Sequence, residues 1–139
     1  MSEAIYLDSS MVLGHILGES GRALRLKSRS EIYTSELTRI ECLRTLDRLR
    51  LLNQWTDKEV IFRLGKLQEM GDYFNEVSLQ PSILKRAGMP LPVPVKTLDA
   101  LHLTTALELA GEIKENLIFL THDVQQRTAA VACGFKVEV

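Results

Sequence analysis

The chain has 139 residues, of which 45% are hydrophobic and 25% charged, with a formal charge of −1. That size suits one hydrophobic core, and the composition is that of a soluble globular protein rather than a disordered or fibrous one. The N-terminal MSEAIYLDSS lacks the basic start and apolar run of a signal peptide, no segment approaches the roughly 20 apolar residues of a membrane span, and no repeat or low-complexity tract appears. A single cytoplasmic domain over residues 1–139 is therefore expected. Cys42 and Cys133 sit in no metal-binding spacing and read as small core residues in a reducing compartment.

In chain order the pattern alternates strand and helix. Ala4–Leu7 is a short apolar strand that ends at Asp8, and Met11–Leu17 reads as a helix. Glu31–Thr34 makes a second strand. Ser35 is a suitable N-cap for a helix to about Leu52, with Glu36 favoured by the dipole in its first turn. Thr56 caps a further helix whose Val60, Ile61, Leu64, Leu67 and Met70 recur at helical spacing. Tyr73–Leu79 contains a third strand, and a short helix follows Pro81. Three prolines within Gly88–Val95 require extended loop. Thr97 then caps a helix to about Ala110, Leu117–Thr121 is a buried-type strand, a helix starts at Thr121 or Asp123, and Gly134 precedes a last strand, Phe135–Val139.

Continuously apolar strands separated by helices predict a parallel sheet covered on both faces, an α/β fold of three layers. In such sheets ligands bind beyond the carboxyl ends of the strands. Asp8 and Asp123 both fall at such ends.

Each acid has an ordinary structural explanation. Asp8 and Asp123 can cap the helices that follow them, and Asp99 suits the positive end of its helix dipole. Glu41 lies mid-helix, beside Ile40 on a face expected to pack, where an unpaired carboxylate is costly unless Arg44 pairs with it. Together the four change the balance. Carboxylates that stay ionised near one another need a cation, and Mg²⁺ or Mn²⁺ takes oxygen ligands and activates water for phosphodiester hydrolysis. The chain offers neither a Ser–His or Cys–His nucleophile pair nor a glycine-rich phosphate loop.

The segments IYLDSSMVL (5–13), TSELTRIECLRTL (34–46), KTLDALHLTTALEL (96–109) and LTHDVQQRTAAVACGFKV (120–137) resemble, in order and spacing, the four acidic motifs of PIN-domain ribonucleases of the VapC toxin type. TLDALHL is the most specific of them. The resemblance implies a three-layer α/β/α PIN-like fold with a central parallel sheet of four to five short strands. It implies a Mg²⁺- or Mn²⁺-dependent endoribonuclease, neutralised by a small cognate antitoxin, with RNA as substrate. By this likeness Asp8, Glu41, Asp99 and Asp123 line one metal site, with Asp8 and Asp99 as the principal ligands, while Glu41 and Asp123 complete the catalytic pocket and orient a metal-bound water. Ser9, Thr121 and His122 would stand behind the acids. Lys96, where arginine is frequent, and the proline-dense loop before it depart from the family pattern.

His102, one turn after Asp99, can join a metal site but is expected to pack at the helix–sheet boundary. Two other readings remain. One is a non-catalytic PIN-like module that binds RNA or protein; the other is a phosphoacceptor receiver domain, which would need an acid pair where Ser9 and Ser10 stand. Residues 22–50 hold eight basic side chains (Arg22, Arg25, Lys27, Arg29, Arg39, Arg44, Arg48, Arg50) against Glu31, Glu36, Glu41 and Asp47, a net +4. Such a stretch suits either a phosphate backbone or a solvated helix face. Leu43, Leu46, Leu49, Leu51, Leu52 and Trp55 exceed what one buried stripe needs, so a homodimer is expected.

Overall fold

A computed structural model describes residues 3–18, 31–114 and 116–138. Five strands form one parallel sheet: β1 (Ala4–Leu7), β2 (Glu31–Ser35), β3 (Phe74–Val77), β4 (Leu117–Leu120) and β5 (Lys136–Glu138), in the order β3-β2-β1-β4-β5. Among the described residues six helices flank it: α1 (Ser9–Leu17), α2 (Leu37–Leu52), α3 (Asp57–Gly71), α4 (Pro81–Ala87), α5 (Thr97–Glu112) and α6 (Val124–Ala132).

The central strand β1 explains the layering. Its alternate side chains point to opposite faces. Ala4 and Tyr6 enter one core with Phe119, Leu103, Ala106, Ala129 and Ala130, contributed by β4, α5 and α6. Leu7 enters the other with Val12, Ile16, Cys42, Leu46, Leu67 and Met70 from α1, α2 and α3. The three-layer parallel architecture read from the sequence is therefore the observed one. Adjacent β1 and β4 send their chains to opposite faces, β1 into α1 and β4 into α6. The switch point, where open α/β sheets bind ligands, thus lies between their carboxyl ends.

Element boundaries shift by a few residues. α1 begins at Ser9, α5 runs to Glu112, and β3 is shorter than Tyr73–Leu79. Thr56 caps α3 as expected, accepting from the Glu59 amide at 3.2 Å. Thr97 does not cap α5; it is the first helical residue and Lys96 holds the cap position without a side-chain bond. Ser35 ends β2, and Glu36 is the N-cap of α2 rather than a first-turn residue. The Ser35 hydroxyl still takes an amide hydrogen, that of Leu37 at 3.1 Å. Gly18 closes α1 with φ 70, the left-handed conformation that glycine adopts without strain, and its amide meets the carbonyls of Gly14 and His15.

The inward face of α2 differs from expectation. Thr38, Cys42 and Leu46, one turn apart, are the buried positions, whereas Ile40 is 59% exposed. Apolar residues occur all around this helix, so periodicity alone leaves its orientation open. Leu46 belongs to the core and not to an outer patch. Arg39 pairs with Glu76, and Arg44 and Arg50 pair with Asp47, all largely solvated. That is the ordinary reading of the basic stretch; Arg22, Arg25, Lys27 and Arg29 lie outside the described residues.

Candidate active site

Asp8 leaves β1 in extended conformation and caps α1, accepting from the Met11 amide at 3.4 Å. It is only 4% exposed. Ser10 Oγ donates to its Oδ1 at 2.6 Å, and Thr121 Oγ1 donates to its Oδ2. Ser10 also accepts from the His122 amide at 2.9 Å. The loops after β1 and β4 are thus laced together at the switch point. Burial pushes the Asp8 carboxyl above its ordinary range, and the bonds from Ser10 and Thr121 pull it part of the way back.

Glu41 projects from α2 toward the same end. Its Oε1 lies 2.6 Å from His102 Nε2, and its Oε2 accepts from Ser9 Oγ at 3.1 Å. Arg44, the expected partner, faces Asp47 instead. His102 is 2% exposed, as its expected packing position requires, and its Nδ1 lies 2.8 Å from Tyr6 Oη.

Asp99 occupies the first turn of α5 and Asp123 caps α6, accepting from the amides of Gln125 and Gln126 at 2.9 and 3.3 Å. The Asp99 carboxyl is raised first by burial, then by the negative charges of Asp123, Asp8 and Glu41. Cys42 senses the same field: burial pushes its thiol up to about 12, with Glu41 and Asp8 adding to the effect. The four acids named from the sequence therefore face one another electrostatically although they come from four separated segments.

Among the described residues, no three His, Cys, Asp or Glu side chains converge as a ready-made metal-holding group. Asp8, Glu41 and Asp123 are each engaged in the caps and hydroxyl contacts just given. The donor set nevertheless fits a hard divalent cation. It is all oxygen, it opposes its own ionisation at Asp99, and Mg²⁺ commonly needs only one or two carboxylates beside water and substrate phosphate. Asp8 and Asp99 are the residues that would hold it.

Ser9 and Thr121 stand behind Glu41 and Asp8 as anticipated. The His122 ring instead lies over α1, where a Cβ on Gly14 would come within 2.9 Å of it. No local sequence pattern marks Ser10 or Tyr6 as part of this site. Gln126 had a legible signal, since Asp123 and Gln126 stand at capping-box spacing. Its side chain, however, donates to the Asp99 carbonyl at 3.0 Å, while the Asp123 amide goes to Thr121 Oγ1.

Comparison with known proteins agrees with this geometry. The model of the PIN domain family matches residues 5–132. Ribonuclease VapC46 of Mycobacterium tuberculosis is 31% identical over 137 residues, which cover 96% of this chain and 95% of that relative. Among solved structures, VapBC2 from Rickettsia felis, bound to a promoter DNA fragment, superposes with a TM-score of 0.67 at 12% identity, covering 97% of each chain. PAE2754 from Pyrobaculum aerophilum superposes with a TM-score of 0.67 at 18% identity, covering 99% of this chain and 92% of that one. VapBC-1 from Haemophilus influenzae superposes with a TM-score of 0.54 at 14% identity, covering 97% and 96%; at these identities the three structures carry the fold alone. With the PIN family model matching residues 5–132 and 31% identity to a VapC ribonuclease over nearly the whole of both chains, the chain belongs to the PIN-domain family, and within it to the VapC type.

Proposed function

We propose that this chain is an endoribonuclease that hydrolyses RNA phosphodiester bonds as the toxin of a toxin–antitoxin pair, a single PIN domain acting in the cytoplasm with Mg²⁺ or Mn²⁺. One observation carries the catalytic reading: Asp8, buried at the carboxyl end of β1, is held by Ser10 and by Thr121 from the loop after β4, which fixes a carboxylate at the switch point. When bound there, a divalent ion polarises a phosphoryl oxygen and makes water a stronger nucleophile. Asp8 and Asp99 would supply ligand oxygens, the first held in place by Ser10 and Thr121. Glu41 and Asp123 would orient the attacking water.

The partners follow from the same chemistry. An acid-lined cleft is a receptor for a guanidinium, so an antitoxin that inserts an arginine would silence it. The relatives from Rickettsia felis and Haemophilus influenzae are VapBC structures, which supports such a partner. A homodimer is the reading we favour for the exposed apolar residues of α2 and α3, among them Leu51, Leu52, Ile61 and Phe62.

A non-catalytic PIN-like module for RNA or protein is the second reading, and the lack of three convergent metal-holding side chains among the described residues favours it. Cleavage of structured RNA with Mg²⁺, Mn²⁺ or chelator decides between them. Cleavage that needs a divalent ion and disappears in Asp99→Asn supports the enzyme; RNA binding without cleavage under any of these conditions supports the module.

A further inference from the structure

Both oxygens of Glu41 are occupied, and the donor on Oε1 is a histidine that solvent scarcely reaches. His102 is held from its other side by Tyr6, a fully buried phenol. A carboxylate accepts, so His102 Nε2–H donates to Glu41, while Nδ1 is hydrogen-bonded to the Tyr6 hydroxyl on the opposite side of the ring. Four elements take part: β1 through Tyr6, α5 through His102, α2 through Glu41 and α1 through Ser9. Two of those side chains, Tyr6 and His102, lie in the core, where rotamers are fixed by packing. A carboxylate on a mid-helix turn has several staggered orientations open to it; this chain of contacts selects one.

We propose that His102 is a positioning residue: backed by Tyr6, it fixes the Glu41 carboxylate in the orientation from which Glu41 serves the acidic cleft. The inference rests on the nuclease reading for its consequence in cleavage, but not for its consequence in metal binding. His102 touches neither substrate nor metal in this account and acts only through Glu41. That distinguishes it from a ligand on the Asp99 face of α5 and from a residue that merely fills the helix–sheet boundary. Glutamine can substitute for it in part, because its side-chain N–H₂ can occupy the place of Nε2; leucine fills the space without a donor.

Four single variants and a double variant of the full chain test this, with Mn²⁺ affinity by titration calorimetry read beside kcat and KM on RNA. Partners that orient a group at a metal site commonly account for about 10- to 100-fold in affinity or activity. His102→Leu should fall by that order in Mn²⁺ affinity and kcat with KM little changed, His102→Gln should recover most of the loss, and Tyr6→Phe should fall in the same direction by less. Adding His102→Leu to Glu41→Gln should cost little more, because residues acting as one unit are not additive. If His102→Leu does not fold, the Gln and Phe variants carry the test, since each keeps most of the buried volume. A folded His102→Leu with wild-type Mn²⁺ affinity and kcat, or a loss fully additive with Glu41→Gln, overturns the positioning role. Should the wild type bind Mn²⁺ but cleave no RNA, weakened binding in His102→Leu still upholds positioning while the nuclease reading falls. A wild type that neither binds Mn²⁺ nor cleaves removes both.

Discussion

The side-chain amide of Gln126 donates to the backbone carbonyl of Asp99 across 3.0 Å, tying the first turn of α6 to the first turn of α5. Gln126 is fully buried, and its Oε1 has no partner among the described residues. A buried polar oxygen without a partner is costly, so its retention needs a compensating use. The tie fixes how far Asp99 stands from Asp123. Gln126→Leu removes both the tie and the orphaned oxygen, and the two effects on stability oppose each other. Stability should change by no more than about 1 kcal/mol, while cleavage falls about tenfold or more because the two acids lose their spacing. Denaturant unfolding and single-turnover cleavage read the two quantities separately. Unchanged cleavage would show that the tie is only a packing contact.

Asp8 separates charge from cap. Asp8→Asn keeps an oxygen for the Met11 amide and for one of the two hydroxyls, and it relieves the burial of a carboxylate. It should fold with near wild-type stability yet lose Mn²⁺ binding and cleavage. Asp8→Ala should also be inactive but lose about 1 kcal/mol or more, because the cap goes and buried hydroxyls lose their acceptor. Equal unfolding midpoints for the two variants would contradict the capping role, and an active Asp8→Asn would contradict the catalytic one.

The pH dependence follows from the direction of two shifts. The carboxyls of Asp8 and Asp99 are both raised in the folded chain, chiefly by burial. Between the ordinary carboxylate range near 4 and their raised folded values, the native state therefore binds more protons than the unfolded one. By linkage these two groups make stability fall as pH rises through that window. Without divalent ions, the protein should gain stability from this pair as pH is lowered from neutrality toward 4. Adding Mn²⁺ at neutral pH should restore stability by binding only the folded form, and its affinity should drop in the acid range as protons compete. Thermal unfolding from pH 4.5 to 7.5, with and without Mn²⁺, checks the sign; Mn²⁺ stabilisation that grows as pH falls would refute it.

Neutralisation by an antitoxin predicts a selective loss. If an arginine enters among the four acids, Asp99→Asn and Asp123→Asn should weaken capture of a coexpressed antitoxin, by an amount that shrinks at high salt. Growth arrest on expression of the chain alone, relieved by coexpression, should disappear in the same variants. An active wild type that leaves growth unaffected would remove the toxin role.

What the sequence could reveal depended on the range of the interactions involved. The alternation of strand and helix, the caps at Asp8, Thr56 and Asp123, and the layering by β1 all rest on local pattern, and the structure agrees with them. The four acids were identified by motif and order, a signal that survives without knowledge of side-chain geometry. Contacts between distant segments were not legible. Nothing local says that Glu41 meets His102 rather than Arg44, or that Gln126 bonds to Asp99. The orientation of α2 was not legible for a related reason: with leucines on every side, only the packing against α1 and α3 decides that Cys42 and Leu46 turn inward while Ile40 turns out.

That corrected orientation reshapes the argument for a dimer. Ile40, Leu43, Asp47 and Leu51 fall along one stripe of α2 at helical spacing, and the three apolar members are 59%, 39% and 63% exposed. The adjacent α3 exposes Ile61, Phe62 and Leu64 at 69%, 60% and 39%. Large exposed apolar patches usually mark an interface, and a two-fold symmetric pair is the commonest way to cover one. Asp47, held between Arg44 and Arg50 in the middle of the stripe, would give such an interface a polar register point. Light scattering at micromolar concentration should return about twice 15.7 kDa. Leu51→Glu, which places a charge in the stripe far from the acids, should shift the mass toward the monomer without loss of Mn²⁺ binding. A wild-type mass near 15.7 kDa would rule the dimer out.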